Sequence, residues 1–239
     1  RMLAAAGASV AIGTPAAQAL ANTLNGSVPL VFVAVTDPVA AKLVSAWDKT
    51  DGNITGTSDA VPVAKNVELM LEVVPQLKSL GTIYNAGEAN SVAAVAALKE
   101  ALRSRQLELV EAPATKTSEV QEAAATLVDR VQALYLVQDN TAVSALASVL
   151  EVGETAKIPV FTADTALVKQ GAVGAVSFDY YQVGRTAGRQ VAAILKGKPV
   201  SELPVQTPER EELLLNSEAA AKMGVRLPEA LRARAQLVP

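Results

Sequence analysis

Short apolar runs of strand length alternate with longer helical patterns along almost the whole chain, and this alternation constrains the fold more than any other feature. Strands that alternate with helices form βαβ units and parallel sheets. The sequence therefore predicts an α/β protein. The predicted strands are Ser9–Gly13, Leu30–Val35, Thr82–Asn85, Leu107–Glu111, Ala133–Val137, Ile158–Thr162, Ala175–Phe178 and Glu212–Leu215.

The number of strands favours two sheets in two lobes, because a turn-rich and irregular stretch over Asp51–Ser58 separates two series of units. Half of the residues are hydrophobic but only 3% are aromatic, so Ala, Val and Leu supply the core, as expected of parallel strands buried under helices. Thr36, Asp37 and Pro38 have the pattern of a cap followed by proline, which predicts a helix over the next residues up to Trp47.

Composition excludes several classes of function. The chain has no Cys and no His, which rules out disulfides, zinc sites built on either ligand, and catalytic triads that use these side chains. The net charge of -3 gives no basic surface for nucleic acid. The glycine motifs match neither the P-loop nor the dinucleotide fingerprint, so we expect no cofactor. No run approaches the roughly 18 apolar residues of a membrane span.

Short polar side chains follow most of the predicted strands. In the clearest case, a strand stops at Asp179, and Tyr180 and Tyr181 lead into a helix. Ligands of open α/β sheets bind outside the carboxyl ends of the strands, so these residues are candidates for contact with a small amine. The alternative is that each one only caps a helix. Asp139, Asp164 and Asp179 could also form a Mg²⁺ site, but single carboxylates on separate strands are weak evidence for one.

Six motifs occur together in a familiar order: IGTPAAQAL (12–20), VFVAVTDPVAAKLV (31–44), GNITG (52–56), IYNAGEANS (83–91), YLVQDNT (135–141) and SFDYYQVGRTAG (177–188). With these motifs the chain resembles the solute-binding proteins of ABC importers. The closest branch binds aromatic amino acids such as tryptophan, tyrosine or phenylalanine. The resemblance covers nearly the whole chain.

The resemblance implies the type I periplasmic-binding-protein fold, in which two Rossmann-like, doubly wound lobes are joined by three hinge crossovers and close over the ligand. Lobe one would comprise residues 1–58 and 176–198, and lobe two residues 59–175 and 199–239. Family members begin with two further βα units behind a signal or lipoprotein sequence. We expect these upstream of Arg1, so lobe one would lack its first βα units here. If the molecule starts at Arg1, the free edge of the first strand could pair with a second copy as a homodimer.

The resemblance also implies which residues contact the ligand. Asn90 and Ser91, at a helix start, would suit its α-carboxylate, and Asp179 would pair with its α-ammonium group. Either Tyr180 or Tyr181 would stack on the side chain of the ligand. The full set of predicted ligand-binding residues is Thr14, Asp37, Asn85, Asn90, Ser91, Asp139, Asn140, Thr141, Asp164, Asp179, Tyr180 and Tyr181.

The function implied is that of a non-enzymatic solute-binding protein, which works with an ABC permease in the membrane and binds a small zwitterion in the cleft between hinged lobes. It would be periplasmic, or a lipoprotein on the outer face of the cytoplasmic membrane. An alternative is a ligand-sensing domain of a regulator or receptor with the same fold. A further alternative is an enzyme that uses Asp or Tyr as acid or base, which the lack of His disfavours.

Overall fold

A computed structural model describes residues 7–48, 50 and 52–238 of the 239-residue chain. The chain forms two compact units. The first runs to Ala60 and includes residues 88–93 and Asp179–Arg210; the second consists of Val61–Gly87, Ala94–Phe178 and the chain from Glu211 onwards. The start at Arg1, on which the expectation of missing upstream units depends, lies outside the described residues.

Strands and helices alternate as predicted, and the α/β class is confirmed. In the described ranges the strands are β1 (Ser9–Ile12), β2 (Leu30–Val33), β3 (Ile54–Thr57), β4 (Ser79–Tyr84), β5 (Glu108–Pro113), β6 (Ala133–Leu136), β7 (Val160–Thr162), β8 (Gly174–Ser177), β9 (Glu212–Asn216) and β10 (Gln236–Val238). The helices are α1 (Thr14–Leu24), α2 (Val63–Val73), α3 (Ala89–Arg103), α4 (Val120–Ala125), α5 (Asn140–Ser144), α6 (Leu146–Ala156), α7 (Thr165–Val168), α8 (Tyr180–Leu195), α9 (Ser217–Lys222) and α10 (Glu229–Arg234). None of the helices in these ranges combines the length and the apolar character needed to cross a bilayer.

The first unit is built on a parallel sheet in the order β1-β2-β3. Helix α1 packs against β1 and β2, with its Leu24 in an apolar cluster that also contacts Ile54. Helix α8 packs against β2 and β3, where Gln190 Nε2 donates to Thr55 Oγ1 over 3.4 Å. Since Ile54 and Thr55 are neighbours on a strand, their side chains point to opposite faces, and the two helices cover both faces of the sheet.

Strand β1 pairs with β2 and leaves the side chains of Val10 and Ile12 exposed, at 49% and 73%. The idea that this strand pairs with a second copy stays a prediction.

Strand β3 corrects the expectation that residues 51–58 are irregular. Thr55 and Thr57 are β-branched residues that favour strands, and Gly56 lies opposite Phe32 of β2. A β-carbon at Gly56 would lie 2.1 Å from the carbonyl oxygen of Phe32, so only glycine allows this close approach. Residues 51–58 have the pattern of a turn because glycine and asparagine, which the segment contains, are also common turn residues.

The helix predicted after Pro38 is also wrong, because residues 38–42 form turns and residues 43–48 are bends and irregular chain. The amide of Leu43 bonds to the carbonyl of Pro38 over 2.9 Å, and Lys42 has a left-handed backbone with φ of 59°. A left-handed residue cannot continue an α-helix. Trp47 therefore packs from an irregular segment, half-buried against the α1 cluster.

The second unit is built on a seven-stranded sheet in the order β10-β9-β8-β7-β6-β4-β5. Neighbouring strands are parallel except β8 and β9, which are antiparallel. Every residue of β6 and of β8 is buried. The core of this unit contains Leu80 of β4, Leu98 of α3 and Leu134 of β6, all at most 1% exposed.

Residues 199–210 belong to the first unit, whereas the resemblance to the family implies that they lie in lobe two. The reason is that this segment bonds to β3 and to the residues that follow it. The amide of Gln206 bonds to the carbonyl of Gly56 over 2.9 Å, and the amide of Ser58 bonds to the carbonyl of Gln206 over 2.8 Å. Thr55 Oγ1 also donates to the carbonyl of Leu203 over 2.6 Å. The division into hinged lobes stays a prediction.

The side chain of Asn66, on α2, completes the backbone pairing of β8. Its Nδ2 donates to the carbonyl of Val176 over 2.7 Å, and its Oδ1 accepts from the amide of Val176 over 2.9 Å. Strand β7 pairs with β8 at Phe161 and Gly174, near the start of β8. Asn66 is 1% exposed, so its amide group takes the place that a neighbouring strand would have beside Val176.

We expect Asn66→Ala to lower the free energy of unfolding by about 2 to 5 kcal/mol, because it leaves a buried N–H and a buried C=O of Val176 without their partner. Urea unfolding followed by circular dichroism measures this change. Gln121→Ala is the matched control, since Gln121 is an exposed amide on α4 of the same unit and should change stability by less than about 0.5 kcal/mol. Equal effects of the two substitutions would contradict the structural role given to Asn66.

Candidate functional site

The strand order of the second unit has a switch point between β4 and β6. From β4 the chain moves outward to β5, then returns to the other side of β4 as β6. In open α/β sheets, ligands bind at such a point, outside the carboxyl ends of the two strands. The residues in this position are Asn85, which follows β4, and residues 137–141, which follow β6.

The structure brings together three of the predicted residues at this switch point. Asp139 Oδ2 accepts from the amide of Asn85 over 2.6 Å, and Asn85 Nδ2 donates to Thr141 Oγ1 over 2.9 Å. Asp139 Oδ1 accepts from the amide of Ala142 over 2.6 Å and so caps α5. Asn140, the first residue of that helix, is exposed.

Asp139 connects the two segments that follow β4 and β6. It is 2% exposed, and each of its carboxylate oxygens receives a backbone N–H, one from each side of the switch point. The side-chain amide of Asn85 is also engaged within the chain, because its Oδ1 accepts from the amide of Gly87 over 2.8 Å while its Nδ2 donates to Thr141 Oγ1.

Asp164 follows β7 and caps the short helix α7, with its Oδ1 accepting from the amide of Ala166 over 2.7 Å. Burial raises the pKa of this carboxyl above its ordinary value, and the bond from Ala166 partly opposes that shift. A cation that approaches a partly buried carboxylate stabilises its charged form, which burial disfavours. Asp164 therefore remains a candidate for contact with an ammonium group.

In the first unit, Thr14 and Asp37 lie at the carboxyl ends of β1 and β2. Thr14 is the first residue of α1 and is 2% exposed. Asp37 is half-buried, and its Oδ1 accepts from the amides of Val39 and Ala40, each over 3.0 Å. Asp37 thus stabilises the turn that replaces the predicted helix.

Asp179 and the two tyrosines begin α8. Asp179 is the N-cap, with its Oδ1 accepting from the amide of Tyr181 over 2.8 Å. Tyr181 is 66% exposed, and the guanidinium carbon of Arg185 lies 6.0 Å from the centre of its ring. Tyr180 is half-buried, and its hydroxyl donates to Asp59 Oδ2 over 3.0 Å.

Sequence reasoning missed Asp59. Its Oδ1 accepts from Thr36 Oγ1 over 2.9 Å, and it is 6% exposed. One signal could have found it, since Asp59 follows β3 after one intervening residue, much as Asp37 follows β2 after three. This spacing could not be used from the sequence alone, because the pattern of residues 51–58 predicts a turn in place of β3.

Asn90 and Ser91 lie in the first turn of α3, and residues 88–93 belong to the first unit. Both are buried, at 5% and 0% exposure. Asn90 Nδ2 donates to Glu88 Oε2 over 3.2 Å and lies 3.4 Å from Ser91 Oγ. The start of a 15-residue helix suits an anion, and contact with a carboxylate stays a prediction here.

In the part of the chain that the structure describes, no group of three His, Cys, Asp or Glu side chains is arranged to hold a metal ion. Within these residues, Asp139, Asp164 and Asp179 therefore do not form the magnesium site that was considered as an alternative.

Comparison with known proteins adds a family and several relatives. A family profile described as ABC transporter substrate binding protein matches residues 7–238. A curated relative, the tyrosine-binding protein of Clostridioides difficile, is 36% identical over 208 residues, which are 87% of this chain. The chain spans 60% of the length of that relative.

Two solved structures are similar over almost the whole chain. A conserved domain protein from Vibrio cholerae is 42% identical with a TM-score of 0.94, over 98% of this chain and 78% of the other. An ABC domain from Streptococcus pneumoniae, solved in complex with L-Trp, is 30% identical with a TM-score of 0.90, over 96% of this chain and 80% of the other. Both likenesses support the fold expected from the sequence.

We expect Asp164→Asn to stabilise the protein more at neutral pH than in acid. The folded state raises the pKa of Asp164 above the ordinary value of 3.8, so the unfolded chain loses this proton first as the pH rises. The contribution of Asp164 to stability therefore falls as the pH passes from 3.8 up through its folded pKa. Asparagine keeps an oxygen for the cap without this loss.

Urea unfolding of both proteins in steps from about pH 3 to pH 7 measures the difference. A difference in unfolding free energy that does not change with pH would mean that the burial of the Asp164 carboxyl has no energetic consequence.

Proposed function

This chain belongs to the family of ABC transporter substrate-binding proteins, and we propose that it binds an aromatic L-amino acid and passes it to an ABC permease. The observation that carries the proposal is the family match over residues 7–238, joined with relatives named for tyrosine binding and solved with L-Trp. The relatives are binding proteins, so we propose binding without turnover. We further propose that the protein works on the outer side of the cytoplasmic membrane.

The chemistry of the described residues supports a zwitterionic ligand. An α-ammonium group needs acceptors, and carboxylates lie at the carboxyl ends of β2 and β7, as Asp37 and Asp164. An α-carboxylate needs donors, and the start of a long helix such as α3 suits an anion. Enclosure of the ligand between two hinged lobes stays part of the proposal.

The proposal requires that aromatic amino acids stabilise the folded chain. A ligand at 100 times its dissociation constant adds about 2.7 kcal/mol to the free energy of unfolding. We therefore expect L-tryptophan, L-tyrosine or L-phenylalanine to raise the melting temperature in thermal unfolding, with the rise growing as the ligand concentration grows. Isothermal titration then gives the affinity of each.

L-Alanine, L-lysine and D-ribose serve as controls of the same experiment, because they lack an aromatic side chain or lack the zwitterion. Stabilisation by ribose and by none of the three aromatic amino acids would overturn the proposed ligand class.

A further inference from the structure

The turn that joins α1 to β2 contains an asparagine directly before a glycine. Asn25 is the C-cap of α1, with a left-handed backbone at φ of 45° and ψ of 43°, and Gly26 follows with φ of 76°. Glycine and asparagine adopt positive φ more readily than other residues, so the turn favours this pair. Every other asparagine of the sequence precedes Thr, Ile, Val, Ala or Ser.

The pair is open to solvent and lies between two anchored residues. Asn25 and Gly26 are both exposed. Leu24 on one side and Val28 on the other are each 5% exposed. A β-carbon placed at Gly26 would meet nothing within 4 Å beyond its own chain neighbours. The peptide groups between the two anchors therefore have room to rotate.

The hydrogen bonds of the turn do not involve the amide of Gly26. The amide of Ser27 bonds to the carbonyl of Leu24 over 2.9 Å, whereas the amide of Gly26 has no acceptor among the described residues. The side-chain amide of Asn25 likewise forms no hydrogen bond within the part of the chain that the structure describes. Neither group has to give up a bond inside the protein before it reacts.

We propose that Asn25 is a site of spontaneous deamidation, through a cyclic imide formed with the backbone nitrogen of Gly26. This nitrogen gives its proton to a base and forms a bond to Cγ of Asn25. The bond from Cγ to the side-chain nitrogen breaks, and that nitrogen takes up a proton and leaves as ammonia. Water then opens the imide at one of its two carbonyl groups, which yields aspartate or isoaspartate.

Gly26 makes this reaction accessible because the attack requires rotation about the Cα–C bond of Asn25. A glycine resists the new backbone conformation less than any other residue, and it places no side chain beside the attacking nitrogen. Asn22 is the natural contrast, since it is also exposed but lies inside α1 and precedes the β-branched Thr23. Helical hydrogen bonding engages the amide that would have to attack there.

The expected product changes the turn and leaves the core in place. Isoaspartate carries the main chain through the former side chain, which adds one methylene between residues 25 and 26. The change falls between the buried Leu24 and Val28, where Asn53 Nδ2 donates to the carbonyl of Gly26 over 3.0 Å. Either product adds a carboxylate at the C-terminal end of α1, where the helix dipole disfavours negative charge.

Incubation of the full chain in mildly acidic and mildly alkaline buffer, followed by ion-exchange chromatography and peptide mapping, tests the proposal. We expect one acidic form to accumulate, with its modification at Asn25 and none at Asn22. It should form faster in the alkaline buffer, because the attacking nitrogen must lose its proton. Asn25→Gly is the matched variant, since glycine suits the left-handed C-cap and has no amide to lose, so the acidic form should be absent.

Gly26→Ala is a second variant, which keeps Asn25 and should slow the reaction several-fold, and circular dichroism checks that both variants fold. Formation of the acidic species at the wild-type rate in Asn25→Gly overturns the proposal, as does mapping of the modification to another asparagine. A wild-type chain that stays unmodified, while a synthetic peptide of residues 22–29 converts in the same buffer, overturns it as well. The outcome does not depend on which ligand the protein binds.

Discussion

Buried parallel strands favour apolar side chains, and this constraint organises both sheets. Every residue of β2 and of β6 is buried, and these strands are almost wholly aliphatic and aromatic. Thr82 on β4 is tolerated because its hydroxyl donates to the carbonyl of Tyr135 over 2.9 Å. Other polar side chains collect where the strands end and helices begin with free N–H groups. Helix capping and ligand contact therefore draw on the same positions.

The aspartates that follow the strands make two kinds of hydrogen bond. Asp139 and Asp179 hold backbone amides, and in doing so they fix the ends of strands and the starts of α5 and α8. Asp59 is held by hydroxyl groups from elsewhere in its unit. Some of these carboxylates thus bind local backbone, whereas Asp59 binds side chains of its own unit.

Sequence patterns predicted the order of elements well, because the switch between strand and helix periodicity is local. They failed where a contact distant in the sequence decided the conformation. Strand β3 exists because Gly56 allows the backbone to approach Phe32, and the hydroxyl that binds Asp59 Oδ2 belongs to Tyr180, which lies 121 positions away. The helix predicted after Pro38 does not form because Lys42 has a left-handed backbone. The neighbouring sequence contains no glycine or asparagine that would have indicated this conformation.

The pairing of Asn66 with Val176 also bears on how β8 is held inside its sheet. β8 lies between β9 and β7, and it pairs with β7 at Gly174, so the backbone of Val176 needs another partner on that side. Asn66 occupies both backbone groups of Val176 from within its own chain. A single buried side-chain amide thereby replaces strand pairing at this point of β8, and lets a helix take the place of a neighbouring strand in the interior of the sheet.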